Sequence, residues 1–199
     1  MAGTDTGANS MESAQDTDVS LMLRLADGED LALNEIISRW RDRVASFLLR
    51  MVGDHATAMD LTQETFVRLY TSRRSYKPSA AFSTYLFHIA ANLARTQARW
   101  RKRHPTVPME DESGELRHDP SGNELRPDES ASLHEKAEVV SRAIAALPED
   151  QREALILFTV EGMSQGEVAK ALRCSPKAVE VRVYRARQAL REALQQAGF

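Results

Sequence analysis

Apolar residues recur at three- and four-residue intervals along most of the chain, a spacing that predicts amphipathic α-helices. The longest such run predicts a helix of about six turns between Asp30, its expected N-cap, and Gly53. A short helix ending near Gly28 precedes it. Two more are expected to follow, one capped by Asp54 and one opened by Phe82. The positions expected to face the core of the longest helix are Leu33, Ile36, Ile37, Trp40, Val44, Phe47, Leu48 and Met51.

The helical pattern resumes at Glu135 and includes a helix-turn-helix signature within residues 162–190. In the run Ser164–Glu167, the Ser hydroxyl and the Glu carboxylate can each accept a hydrogen bond from an unpaired backbone amide, which is a capping box. In Ser175-Pro176, Ser can cap the last helix and Pro suits its first position. The expected core positions of this last helix are Val179, Val183, Ala186 and Leu190.

The opposite face of the last helix is polar and basic. Between residues 170 and 191 there are seven basic residues and one acid, Glu180. A short helix, a tight turn and a longer basic helix fit the major groove of DNA. A basic helix on the surface of an ordinary bundle is the alternative, and Arg182 and Arg187 fit phosphate or intradomain contacts better than base contacts. The outward positions are Lys177, Glu180, Val181, Tyr184, Arg185 and Gln188.

Two polar segments divide the chain. Residues 1–16 are small and polar and bury too little apolar surface to fold, so they are predicted to be disordered. Residues 104–134 contain four Pro and eight acids, and such a segment of Pro and polar residues favours a linker. Fully stretched, it reaches roughly 100 Å. The predicted fold is all-α, with a tail at 1–17, a helical domain at 18–103, an acidic linker at 104–134 and a helix-turn-helix domain at 135–199.

Charge is segregated along the sequence. The 199 residues carry a net charge of −3. Residues 1–18 contribute −4 and residues 104–134 contribute −6, so the remaining residues, 19–103 and 135–199, carry +7 between them. The predicted domains are therefore basic, although the whole chain is slightly acidic.

Composition and motifs exclude several other classes of protein. The single Cys excludes an intramolecular disulfide and multi-Cys zinc sites. No apolar run is long enough to cross a membrane, and the acidic start is unlike a signal peptide, so the cytoplasm is the expected compartment. The five His residues lack metal-ligand spacing, and no phosphate-binding loop or nucleophile motif occurs. We therefore expect neither an enzyme nor a cofactor.

The first domain carries basic residues on one helix and on the loop before it. Residues 82–103 contain five bases and no acid, and aromatic residues lie among them. Aromatic side chains within a cationic surface can stack unpaired nucleobases. Equally, the rings can belong to the core and the basic side chains to a solvated face. The preceding helix differs, because Asp60, Gln63 and Glu64 share one face. That face suits a basic protein partner, unless it is simply solvated.

Three runs of residues together resemble a known family. The segment Asp60–Tyr70 is similar to the helix with which sigma-70-type factors dock on the clamp of core RNA polymerase, and Phe82–Asn92 is similar to their −10 helix. The segment Leu147–Leu190 resembles sigma domain 4. With only domains 2 and 4, the chain resembles an extracytoplasmic-function (ECF) sigma factor.

The resemblance implies a partner for each surface. Asp60, Gln63 and Glu64 would face the clamp of bacterial core RNA polymerase, and an anti-sigma factor would be a further partner. The residues implied to contact the promoter −10 element are Arg73, Arg74, Lys77, Phe82, Tyr85, Asn92, Arg95, Arg99 and Arg103. Those implied to contact the −35 element are Lys177, Glu180, Val181, Arg182, Tyr184, Arg185 and Arg187.

Two other functions remain open on the sequence. A helix-turn-helix regulator would bind duplex operators without polymerase, usually as a dimer. Such regulators lack the paired motifs at residues 60–70 and 82–92. A scaffold made of two helical bundles is also possible, but it leaves the basic faces without a role.

Overall fold

The computed structural model describes residues 17–104 and 127–198, and within these ranges the chain forms helices and no strand. None of the described helices is both long and apolar enough to cross a membrane. The first domain contains α1 (17–26), α2 (Leu31–Val52), α3 (His55–Thr71), a 3₁₀ turn (Arg73–Ser75) and α4 (Phe82–Arg103). The second contains α5 (Pro127–Ala146), α6 (Glu149–Thr159), α7 (Gln165–Leu172) and α8 (Pro176–Gln196).

Aromatic rings form the centre of the first domain. Trp40 of α2 meets Phe82 of α4 edge-to-face, with ring centroids 5.7 Å apart, and Phe47 meets Phe87 at 5.4 Å. The indole N–H of Trp40 donates to the buried carboxylate of Asp18, 3.1 Å away. This bond satisfies the polar atom of a large buried ring, and it fastens α1 to α2.

The second domain is organised around its helix-turn-helix. The capping box at the start of α7 is present, with the Ser164 amide donating to Glu167 Oε2 at 2.8 Å and the Glu167 amide donating to Ser164 Oγ at 3.3 Å. Ser175 accepts from the Ala178 amide at 3.1 Å and caps α8. Arg173 adopts a left-handed φ of 52° at the end of α7, which turns the chain between the two helices.

Most helix ends lie where the sequence predicts them. Gly53 ends α2 with a φ of 74°, and Asp54 caps α3 by accepting from the Thr57 amide at 2.7 Å. Asp30 precedes α2 as expected, but its side chain makes no capping bond, because the residue already has a helical backbone. The predicted linker is too long at its end, since α5 begins at Pro127 rather than near residue 135. The remainder of the linker, 105–126, and the tail, 1–16, lie outside the described residues.

The two domains pack against each other. α4 of the first domain lies against α7 of the second, and α2 lies against α6 and α5. Buried apolar residues from both domains belong to one continuous cluster. The structure is therefore a closed arrangement of two helical domains, a feature that the sequence left undecided.

The two N-cap aspartates allow a test of local stability. We expect Asp54→Ala to lower the free energy of unfolding by about 1 kcal/mol, because the Thr57 amide loses its acceptor. Asp30→Ala is the matched control and should cost less, because Asp30 makes no capping bond. Urea unfolding at pH 7 measures both.

The cap also predicts a pH dependence. The hydrogen bonds from Thr57 lower the pKa of Asp54 below its ordinary value. The stabilisation by Asp54 should therefore be complete above the unfolded-state pKa and disappear as the pH falls through the lowered folded-state pKa. An Asp54→Ala deficit that persists unchanged below this range would contradict the assignment.

Candidate nucleic-acid interface

The outer face of α8 is open to solvent along its first three turns. Tyr184 is 70% exposed, and Arg185 and Val181 are exposed beside it. Lys177 and Glu180 form an ion pair on the same face, with Nζ and Oε1 2.8 Å apart. These side chains are thus available to contact base edges in the major groove of DNA. To do so, Lys177 and Glu180 would have to give up their ion pair.

Two arginines of α8 are engaged within the second domain. Arg182 Nε lies 3.2 Å from Asp150 Oδ2 of α6. The guanidinium of Arg187 lies over the ring of Phe158, 5.5 Å from its centroid. Both contacts agree with the expectation that these residues make phosphate or intradomain contacts, and they brace α8 against α6.

The basic residues around α4 fall into two groups. Arg74, Lys77, Arg99 and Arg103 are exposed. Arg73 is partly buried, because its guanidinium stacks 3.8 Å from the centroid of the Tyr70 ring and donates to the Tyr70 carbonyl at 2.8 Å. The exposed group lies at both ends of α4, with Arg74 and Lys77 in the preceding loop and Arg99 and Arg103 near the C-terminal end, and we call these four residues the cationic surface of α4.

Phe82 lies in the core rather than on this surface. Its relative exposure is 0%, and its ring packs against Trp40. A base cannot stack on a ring that no solvent reaches, so the prediction that Phe82 contacts DNA is wrong. The alternative that Phe82 is a core residue is correct, and the reason is its position at the first turn of α4, directly above α2.

Tyr85 lies at the first turn of α4 and retains partly accessible surface. Its hydroxyl lies 2.6 Å from Ser72 Oγ, and its ring packs 5.1 Å from that of Tyr76. Tyr76 is buried, its hydroxyl has no hydrogen-bond partner among the described residues, and burial raises its pKa. The loop before α4 is thus held against the helix by two packed tyrosines.

Arg95 of α4 faces the second domain, and Asn92 lies one turn before it on the same helix. Arg95 makes a bidentate ion pair with Glu153 of α6, with both N···O distances 2.9 Å. Asn92 accepts from Arg95 Nη1 at 3.2 Å and lies 3.0 Å from His88 Nε2. Both residues belong to the predicted −10 set, and in this structure their polar atoms bond to protein.

An acidic surface runs along α3 on the outside of the first domain. Asp60 and Gln63 are exposed, and Glu64 pairs with Arg68 at 2.7 Å. Val67 continues the same face and is 54% exposed. We call Asp60, Gln63, Glu64 and Val67 the α3 stripe. The apolar end of the stripe, Val67, was not predicted from the sequence. Its position three residues after Glu64 could have indicated it, because residues three apart share one face of a helix.

The residues that join the domains were not predicted from the sequence. Arg43 Nε of α2 donates to Glu161 Oε2 at 2.9 Å, and the half-buried guanidinium of Arg152 donates to the Met51 carbonyl at 2.8 Å. Burial raises the pKa values of Glu153 and Glu161, and the facing arginines oppose that shift. No local spacing marks these residues, since each partner lies on a different domain.

Comparisons with known proteins agree with this architecture. Residues 36–104 match the family model for sigma-70 region 2, and residues 137–190 match that for sigma-70 region 4. The first match covers α4 and most of α2 with the α3 stripe between them. The second contains α6, α7 and most of α8.

Individual relatives match nearly the whole chain. The RNA polymerase sigma-H factor of Pseudomonas aeruginosa is 31% identical over 91% of this chain and 95% of its own length. The ECF RNA polymerase sigma-E factor of Escherichia coli K12 is 33% identical over 92% and 97%. Among solved structures, CnrH in complex with the cytosolic domain of CnrY aligns with a TM-score of 0.66 and 25% identity over 90% of this chain and 97% of that chain.

A protein of two helical domains, one with a helix-turn-helix and both with exposed cationic surfaces, belongs to the class of DNA-binding transcription proteins. The family matches and relatives make the assignment specific. The chain belongs to the ECF group of the sigma-70 family and is an RNA polymerase sigma factor.

Proposed function

We propose that this chain directs core RNA polymerase to promoters by using three separate surfaces. The α3 stripe binds the polymerase clamp, the cationic surface of α4 binds the −10 element, and the outer face of α8 reads the −35 element. The observation that carries the proposal is the separation of charge between faces of the folded first domain. Its exposed acids on α3 would repel DNA, whereas its exposed bases on α4 would attract it.

At the −35 element, α8 enters the major groove. Arg185 suits guanine, because a guanidinium can donate two hydrogen bonds to O6 and N7, and Glu180 suits the amino group of cytosine. Tyr184 and Val181 supply apolar contact. Lys177 contributes positive charge at the start of the helix, while Arg182 and Arg187 hold α8 in place and lie near the phosphates.

At the −10 element, the loop before α4 and the start of the helix receive a base from the opened strand. Arg74, Lys77, Arg99 and Arg103 provide cations for the backbone, and Tyr85 supplies a partly exposed ring. Unstacking a base costs a few kcal/mol, and stacking on an aromatic side chain returns about 1–3 kcal/mol. The free-energy cost of unstacking the base and the gain from stacking it on the protein are therefore similar. Binding of the opened strand then depends on additional contacts made by polymerase.

Tethering both domains to one polymerase makes the second DNA contact intramolecular. Each domain alone binds weakly, and linkage raises its effective concentration. The two promoter elements lie about two helical turns apart, roughly 70 Å. The 22 residues between the described segments are long enough to reach about 80 Å when extended.

The chain supplies recognition and strand opening, and we infer that it performs no covalent chemistry and needs no cofactor of its own. Polymerase performs the catalysis. An anti-sigma factor is a further proposed partner.

The clamp assignment predicts a specific loss of binding. Glu64→Arg should weaken the complex with core polymerase, because it places a cation in the α3 stripe and also opposes Arg68. Glu35→Arg is the matched control, since Glu35 is exposed on α2 and lies outside the stripe. Pull-down with core polymerase and run-off transcription measure the effect. Equal retention of both variants would remove the assignment.

The −35 assignment predicts two different losses on α8. Arg185→Ala should reduce initiation and relax base preference at one −35 position, a loss of about 1–3 kcal/mol of discrimination. Arg187→Ala should weaken binding evenly across −35 sequences, as expected for a residue that braces the helix and contacts phosphate. Run-off transcription on a library of randomised −35 elements separates the two. An unchanged preference in Arg185→Ala would contradict the assignment of α8 as the reading helix.

A further inference from the structure

The C-terminal end of α4 presents an aromatic stack among basic residues. The ring of Trp100 is 47% exposed and stacks on the ring of His104, with centroids 4.9 Å apart and an interplanar angle of 23°. His104 donates two hydrogen bonds to the Trp100 carbonyl, from its backbone amide at 2.9 Å and from Nδ1 at 3.1 Å. These bonds hold the imidazole against the indole. We call Arg99, Trp100, Arg103 and His104 the aromatic end of α4.

The arginines of the aromatic end are not used in ion pairs within the described residues. The guanidinium of Arg99 bonds to Thr96 Oγ1, and that of Arg103 bonds to the Arg99 carbonyl, each at 3.3 Å. Arg101 lies between them in the sequence but donates to the Val52 carbonyl of α2 at 2.8 Å. Arg99 and Arg103 are therefore exposed cations that remain available to an anionic ligand.

The aromatic end shares one side of α4 with Tyr85. Because an α-helix has about 3.6 residues per turn, Arg103 lies about five whole turns after Tyr85 and on the same side. Trp100 lies within about 60° of that line, whereas Arg101 lies nearly opposite, in agreement with its contact to α2. Cations in the last turn of a helix stabilise its dipole on whichever side they lie. Alignment with Tyr85 is a further property, and it indicates a ligand shared with the start of the helix.

The length of α4 separates the two contacts along that ligand. A rise of about 1.5 Å per residue places Trp100 about 22 Å, and Arg103 about 27 Å, from Tyr85 along the helix axis. Stacked DNA advances about 3.4 Å per nucleotide. When α4 lies along the DNA, its aromatic end is therefore about six to eight base pairs away from a nucleotide held at Tyr85, beyond the opened base.

The reach of the linker determines the direction of α4 on the promoter. The 22 residues between the described segments extend to about 80 Å, and the two promoter elements lie roughly 70 Å apart. If the aromatic end points towards the −35 element, the linker has roughly 45 Å left to span. The opposite direction requires roughly 95 Å, which is more than the linker reaches. The aromatic end therefore lies over the spacer between the two elements.

The spacer is double-stranded, and this decides the kind of contact. Paired and stacked bases offer no free face to a ring, so Trp100 does not stack there. Its indole N–H is a hydrogen-bond donor, and it has no acceptor among the described residues. Phosphate oxygens accept hydrogen bonds from side chains without regard to sequence. The backbone of the duplex thus suits both the indole and the neighbouring guanidinium groups.

We propose that the aromatic end of α4 binds the phosphate backbone of the duplex spacer, about six to eight base pairs upstream of the captured −10 base. Trp100 and Arg103 donate to phosphates, Arg99 adds positive charge, and His104 orients the indole. This inference rests on the proposed function of α4 at the −10 element. It divides the cationic surface of α4 into a loop end for the opened strand and an aromatic end for the duplex, so that α4 spans the junction between them.

The test compares two variants of the full-length chain in complex with core polymerase. Arg103→Ala and Lys102→Ala each remove one exposed cation from the last turn of α4, so they change net charge and helix dipole equally. Lys102 lies about 100° away from the line through Tyr85 and Arg103, and it is the matched control. A third variant, Trp100→Phe, keeps an aromatic ring and removes the indole N–H.

Binding is measured on a promoter chosen by run-off transcription, over a series of salt concentrations. A second form of this promoter carries neutral methylphosphonate linkages about six to eight base pairs upstream of the opened base. Fluorescence anisotropy of labelled promoter gives the affinity of each holoenzyme. Pull-down with core polymerase in the absence of DNA gives the affinity for the protein partner.

We expect Arg103→Ala to reduce the slope of log affinity against log salt by about one, because one phosphate contact is lost. Lys102→Ala should leave the slope close to that of wild type. Trp100→Phe should weaken promoter binding by about tenfold, as expected for one hydrogen bond to a charged acceptor, and equally for all spacer sequences. On the promoter with neutral linkages, wild type, Arg103→Ala and Trp100→Phe should bind alike.

Three results would overturn the proposal. The first is an equal change of slope in Arg103→Ala and Lys102→Ala, and the second is a loss that persists on the promoter with neutral linkages. The third is weaker binding of core polymerase without DNA, which would show that the aromatic end contacts protein. Failure of the proposed function is distinguishable, because the wild-type chain would then not direct initiation. A wrong spacer contact leaves wild-type initiation and its −10 and −35 preferences intact.

Discussion

The bidentate pair between Arg95 and Glu153 links the two halves of this molecule more directly than any other polar contact described. It joins a cation of the first domain to a carboxylate that is nearly inaccessible to solvent. Removing one partner of a buried pair is strongly destabilising, because the other charge is left without compensation. The closed arrangement of the domains therefore uses the Arg95 guanidinium, and any contact between Arg95 and DNA needs the same group. One guanidinium cannot serve both at once.

Electrostatics explains how one slightly acidic chain can bind both a nucleic acid and a protein. The acids are concentrated in residues 1–18 and 104–134 and on the outer face of α3, while exposed bases lie on α4 and α8. Net charge alone would have argued against DNA binding. The distribution over folded surfaces is the relevant quantity, because screening confines each patch to its own surroundings within about 10 Å.

Local features were predictable from the sequence because their causes are local. The capping box of Ser164 and Glu167, the N-cap at Asp54 and the left-handed Gly53 each depend on a few neighbouring residues, and all three occur where expected. Features that depend on tertiary partners were not predictable. Phe82 could stack a base or fill the core, and only the position of Trp40 decides between them. Glu153 and Arg95 are 58 residues apart, and nothing in either local sequence indicates the other.

The account is tested most directly by the distance between the domains in three states. Spin labels at Ser38→Cys and Gln195→Cys, exposed sites on α2 and α8, can be introduced with Cys174→Ser to remove the native thiol. Pulsed electron paramagnetic resonance then gives the separation in the free chain, on core polymerase and on a promoter complex. We predict a short, narrow distribution in the free chain and a long one in both complexes. A free chain already as extended as the promoter complex would contradict the account.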